Sequence, residues 1–241
     1  MLKTLKHTII TYTKNFNLVL FFSIPLVIAF LIPIFIQLPT FPAAGGMFLR
    51  TGSLPELGTS DVIIMLFSYL LSLYLISLAI VNINLVVKSQ RTTLNIKKEV
   101  LERMGTSTLN VFFLYVTFTL ILFLIQLISY RLEIQNILAP VLGLIVSLPF
   151  FYAPAALVID DINPEKAVKY SLIHIKRKWI DFILFLIIGV ILLSSITFFV
   201  LTLELGDIES LLIIILNSFI IVPFLIILQT QIYIAKYSLL R

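Results

Sequence analysis

The chain has no cysteine in 241 residues, only two histidines and one tryptophan, and 12% charged side chains. Each scarcity excludes something. Without cysteine there is no disulfide, no thiolate metal ligand and no cysteine nucleophile. Two histidines without HExxH spacing do not make a zinc centre, so His7 and His174 are expected to be ordinary solvated side chains. Walker, GxSxG and dinucleotide-binding patterns are absent, so no cofactor is expected. A soluble domain carries about 25% charged residues. Half that share, with 60% hydrophobic residues and a mean hydropathy of +1.13, argues against a soluble domain.

What is present is six long apolar runs, at about 18–38, 62–87, 109–129, 137–159, 180–203 and 210–235. Each reaches the roughly 20 residues a helix needs to cross the hydrocarbon core. The runs are continuous rather than alternating, which selects helices over a barrel. The expected fold is a single all-α, polytopic membrane domain over 1–241. The first run is longer than the apolar core of a signal peptide, so it is read as a span despite the small residues of PAAGG (42–46) after it.

The cations give an orientation. With the N-terminus in the cytoplasm, fifteen of the seventeen Lys and Arg residues fall on the cytoplasmic side, and only Arg50 and Arg131 fall on the other. The expected location is the cell membrane, with both termini cytoplasmic.

Between the fourth and fifth runs lies INPEKAVKYSLIHIKRKW (162–179). Asn163 suits an N-cap, Pro164 the first helical position, and Glu165 the positive end of the dipole. Val168, Leu172, Ile175 and Trp179 recur at helical spacing, with Lys166, Lys169 and Lys176 off that face. This predicts an amphipathic interfacial helix, with Trp179 at the bilayer entrance. Two further segments read the same way. In 2–16 the face is Leu2, Leu5, Ile9, Tyr12 and Phe16. In 92–105 it is Leu94, Leu101 and Met104, with Gly105 as a helix stop. The chain therefore parses into three units, each a cytoplasmic amphipathic helix followed by a transmembrane hairpin. Residues 5–16 and 168–179 align without gaps, pairing Thr8 with Ser171 and Phe16 with Trp179.

The stretch FFYAPAALVIDDINPEKAVKYSLIHIKRKWIDFILFLIIGV (150–190) resembles the uncharacterised six-helix integral membrane families of archaea and bacteria. Those are related to the membrane module of some glycerophosphodiester phosphodiesterases. The resemblance implies an all-helical membrane fold and no defined activity, and the phosphodiesterase catalytic residues have nothing to map onto here.

The central parts of the six runs hold no Asp, Glu, Lys, Arg or His, which argues against a proton relay or ion-coupled carrier. Asp160 and Asp161 are read as a turn paired with nearby cations, and Asp181 as facing the cluster at 176–178. Ser68, Ser72, Ala79 and Asn82, with Gln126, Asn217, Gln229 and Gln231, are expected to bond across helices. Pro25, Pro33, Pro140, Pro149, Pro154 and Pro223 each free a backbone carbonyl within or beside a run. The segment 38–61 is expected to be an irregular loop.

No catalytic, cofactor or metal site is expected. Candidate contacts to anionic lipid or a partner are Lys166, Lys169, Lys176, Arg177, Lys178 and Trp179. The expected function is a non-enzymatic permease-like or lipid-handling bundle; the alternative is a membrane scaffold or a subunit of a larger complex. The partners implied are membrane lipids with anionic headgroups, with a protein partner or a second copy also compatible, and no nucleic acid.

Overall fold

A computed structural model describes residues 2–38, 40, 47, 57–92, 96–204, 206 and 208–235. Ten α-helices and one π-helical turn are assigned among them, and no strand. They are α1 (Leu2–Lys14), α2 (Phe16–Ile36), α3 (Thr59–Thr92), α4 (Ile96–Arg131), α5 (Gln135–Phe151), α6 (Ala153–Asp160), α7 (Pro164–Arg177), α8 (Trp179–Leu201), α9 (Ile208–Leu216) and α10 (Val222–Ile234). A π-helical turn, Asn217–Ile221, joins the last two.

Six segments are long and apolar enough to cross a membrane: Phe16–Ile36, Thr59–Gln90, Arg103–Arg131, Asn136–Asp160, Trp179–Leu201 and Ile208–Ile234. These are spans one to six. Spans one, two, three and five are single helices. Span four is broken at Tyr152, between α5 and α6, and span six carries the π-helical turn just ahead of Pro223.

Spans two, four and six share a feature that orders the molecule. Every residue from 81 to 87, from 152 to 158 and from 230 to 234 is buried. These are the C-terminal portions of the three even-numbered spans, and α3, α6 and α10 pack on one another there. A helix apolar all round and buried all round is a core helix. Around this centre, α2 lies against α3, α3 against α4, and α4 against α5. On the other side, α8 lies against α9 and α10. Spans four and five meet near the centre's level, where Phe151 packs edge-on to Phe182 and Phe185 at 4.9 and 5.2 Å.

The buried end is also the basic end. Lys3, Lys6, Lys14, Lys88, Arg103 and the cations of 166–178 gather there, while Arg131 lies at the opposite end of span three. Arg50, Lys236 and Arg241 lie outside the described residues, as do Leu94 and most of the expected loop 38–61; the side chains of Leu2, Arg91, Lys97, Lys98 and Leu101 are likewise not described.

Two expectations are corrected. Gly105 does not stop a helix: α4 runs without interruption from Ile96 through it to Arg131. A lone glycine costs a helix only about 1 kcal/mol, and buried Ser107 and Thr108 carry the packing straight on. The expected faces of the two short helices are also rotated. In α7 the buried line is Ala167, Ser171, His174 and Ile175, while Val168 and Leu172 are only half-buried. In α1, Thr8 and Thr11 are buried, whereas Ile9 in α1 and Phe16 at the start of α2 are exposed. Leu5, Tyr12 and Val168 of the expected faces still pack on the core as half-buried side chains, and Ile175 is buried in it.

The buried centre is held by close packing of side chains. Truncating Ile227, which is fully buried on α10, is expected to cost about 2–5 kcal/mol. Phe198→Ala, at a site 71% exposed, is expected to change little. Steric-trap or thermal unfolding in a mild detergent checks both.

Candidate functional site

The break in span four begins with proline. Pro154 has no N–H to give to Phe150, and Pro149 lies one turn earlier. At Tyr152 the chain leaves the α-helical ladder. Its N–H turns to Phe150 O within the break and donates to Ser171 Oγ of α7 at 2.9 Å. Ser171 Oγ in turn donates to Leu148 O at 3.4 Å. Tyr152 N–H and Leu148 O are four residues apart, so they would bond each other in an unbroken helix. The hydroxyl is inserted between them. On the other side, Gln229 Nε2 of α10 donates to Phe151 O at 2.6 Å. Two neighbouring helices thus supply what the broken backbone lacks.

The same device recurs twice. Pro33 frees Ala29 O in span one, and Ser72 Oγ of α3 donates to that carbonyl at 3.1 Å. In span six, Tyr12 Oη of α1 lies 3.4 Å from both Phe219 O and Ile220 O, in the π-helical turn just ahead of Pro223. Burial pushes the Tyr12 phenol up, so it remains a protonated donor. Thr11, its neighbour, accepts from Gln231 Nε2 at 3.3 Å. Ser72, Gln229 and Gln231 therefore bond across helices, as their placement in the runs suggests.

Beneath the break lies a polar cluster at the basic end. His174 is 5% exposed. Its ring packs edge-on to Tyr152 at 4.8 Å and lies 5.2 Å from Tyr233. The expectation of a solvated histidine fails because α7 turns this face onto α5 and α6; His7 is exposed as expected. Tyr233 Oη donates to Asp160 Oδ2 at 2.6 Å. Lys88 Nζ, at the end of span two, donates to Val158 O at 2.8 Å and to Asp161 Oδ2 at 2.9 Å. Arg103, at the start of span three, pairs with the same Asp161 oxygen. Asp161 takes a left-handed conformation, φ 52°, which ends α6 and turns its carboxylate toward both cations. It thereby ties spans two, three and four together.

Of the sequence-predicted contact residues, Lys166, Lys169, Lys176, Arg177, Lys178 and Trp179 are all exposed. Lys166, Lys169, Lys176 and Arg177 fall with Tyr170 and Ile173 on one outward stripe of α7, opposite Ser171 and His174. Lys178 sits in the α7–α8 junction 4.0 Å from Asp181, and Trp179, 58% exposed, opens α8. Asn163 occupies the N-cap position ahead of Pro164, but its side chain makes no capping hydrogen bond. The residues that sequence reasoning missed are Ser171, Tyr152 and Tyr233. A serine one turn from a histidine, both off the apolar face of a short helix, was the available signal for the first.

Away from the basic end the helices leave lateral cavities. One of about 220 Å³ lies between α2 and α3 and is lined by Ala29, Pro33, Ser68, Tyr69, Ser72 and Ile76 among others. Another of about 270 Å³ lies between α3 and α4, lined by Tyr69, Tyr115, Thr119 and Gln126 among others. Tyr69 Oη and Thr119 Oγ1 bond at 2.7 Å between these helices. Their walls are apolar with a few hydroxyl and amide groups, and both are smaller than the ~300–1,000 Å³ of a pocket for a drug-sized ligand.

No family model, curated protein or solved structure matches the chain.

Burial raises the Asp161 pKa, but the hydrogen bonds and charges of Lys88 and Arg103 outweigh it and hold the carboxyl below the usual carboxylate range. A depressed pKa contributes stability that is complete above the unfolded value, about pH 4, and is lost as pH falls through the folded value. Unfolding followed from pH 6 to about pH 3 is expected to show this loss in the native chain. Asp161→Asn should be less stable at pH 6 and show a flatter acid limb.

Proposed function

We propose that the chain is a non-enzymatic, multi-pass cell-membrane protein with both termini cytoplasmic, and that it handles lipid. The observation that carries this reading is the outward stripe of α7. Four cations flank Tyr170 and Ile173, and Lys178 and Trp179 follow where span five begins. Cations beside aromatic and aliphatic groups suit the headgroup level of an anionic leaflet, with each cation contributing about 1 kcal/mol. The gathering of described cations at one end supports a cytoplasmic basic face. The lateral cavities favour lipid handling over a through-path for polar solutes. They lie on seams between neighbouring spans, whereas the basic end is filled by buried side chains and tied by Asp161. The resemblance at 150–190 to uncharacterised six-helix membrane families stays a proposal and carries none of this argument.

The test is native mass spectrometry of protein extracted from membranes with its lipids. Retained phosphatidylglycerol or another anionic lipid is expected, and its loss when Lys166, Lys169, Lys176, Arg177 and Lys178 are all changed to Gln. A retained protein subunit with no retained lipid would instead favour a scaffold or complex subunit. A bare protein would leave 162–179 as a topology anchor.

A further inference from the structure

Helix α7 has two faces with different duties. Its outward stripe bears Lys166, Lys169, Lys176 and Arg177, and its inward line bears Ser171 and His174. Ser171 Oγ occupies the break in span four, accepting from Tyr152 N–H and donating to Leu148 O. His174 packs on the ring of that same tyrosine. Tyr152 is therefore gripped through both its backbone and its ring by one short helix.

We infer that α7 is a lipid-operated clamp: anionic headgroups drawn to its outer face press Ser171 and His174 onto Tyr152 and hold the fourth-span break closed. This rests on the reading of α7 as a headgroup contact. The coupling itself follows from geometry. α7 is a short rigid element, and Ser171 and His174 are one turn apart on it, so a displacement of its outer face moves both together. Lys178 and the turn at Asp161 bound it at its two ends. Without Ser171 Oγ, Leu148 O loses its donor and Tyr152 N–H keeps only Phe150 O two residues back, and a buried carbonyl without its partner is unfavourable. The break therefore has a held state with the hydroxyl inserted and a loosened state without it, and the position of α7 selects between them. Helix α1 shows the same construction. Lys3, Lys6 and Lys14 are exposed, and Tyr12 Oη lies at Phe219 O in the π-helical turn of span six.

Amide hydrogen exchange tests the clamp, with the full chain in lipid discs of phosphatidylcholine alone or with added phosphatidylglycerol. Retention of phosphatidylglycerol is followed in parallel by native mass spectrometry. The Tyr152 amide is expected to exchange roughly tenfold more slowly in the anionic discs, the change that one hydrogen bond brings. Ser171→Ala is expected to keep phosphatidylglycerol and lose the lipid dependence, exchanging fast in both discs. Ser171→Thr, which keeps the hydroxyl, is expected to restore it. If phosphatidylglycerol is retained but Tyr152 exchanges equally in both discs, the clamp is wrong while the headgroup reading stands. If the native chain retains none, both fall.

Discussion

Lipid offers a peptide group nothing to bond. A carbonyl or N–H left over inside the hydrocarbon must find a partner within the protein or cost several kcal/mol. This chain places prolines inside or beside its apolar helices, and each removes one rung of the ladder. At three places near these prolines, side chains from neighbouring helices bond the backbone. Ser72 serves Ala29 O, Ser171 and Gln229 serve the break around Tyr152, and Tyr12 serves Phe219 O. The polar side chains scattered through the apolar runs thereby have a defined purpose. They specify which helix lies beside which, because a misplaced neighbour would leave a carbonyl unpaired.

That constraint explains the two unequal ends of the bundle. Both short helices, α1 and α7, lie at the basic end, and each reaches a broken even-numbered span from there. The C-terminal portions of spans two, four and six are pulled into one buried centre, closed by Asp161 and the cations of spans two and three. Span five joins it through Phe182 and Phe185 and through its packing on span six. The cavities beside Tyr69 lie toward the opposite end. The similar duties of α1 and α7 also give physical content to the gapless alignment of 5–16 with 168–179. Thr8 and Ser171, paired in that alignment, are both fully buried.

Period and composition made much of this legible in advance. Long apolar runs led to six helices long and apolar enough to cross a membrane, and the prolines marked where the helical ladder would be interrupted. The identity of those partners was not legible, because it depends on helices distant in sequence. Gln229 lies 78 residues from Phe151, and Tyr12 207 from Phe219. The rotated faces of α1 and α7 escaped for a related reason. Apolar periodicity assumes that only bulky apolar residues face inward, but Thr8, Ser171 and His174 are buried alongside them. Gly105 was misread because a glycine stops a helix only when the chain beyond it has somewhere else to go.

At these sites the side chains serve backbone groups left over where the helical ladder is interrupted, and in span one the interruption is Pro33. A double-mutant cycle on span one tests this most directly. Ser72→Ala should cost about 1 kcal/mol in the native chain, because Ala29 O loses the hydroxyl that replaces the proline rung. With Pro33→Ala already in place, residue 33 regains an N–H for Ala29 O, and Ser72→Ala should then cost almost nothing. Equal costs in both backgrounds, measured by unfolding under one condition, would show that Ser72 stabilises the bundle for some other reason and would contradict the account.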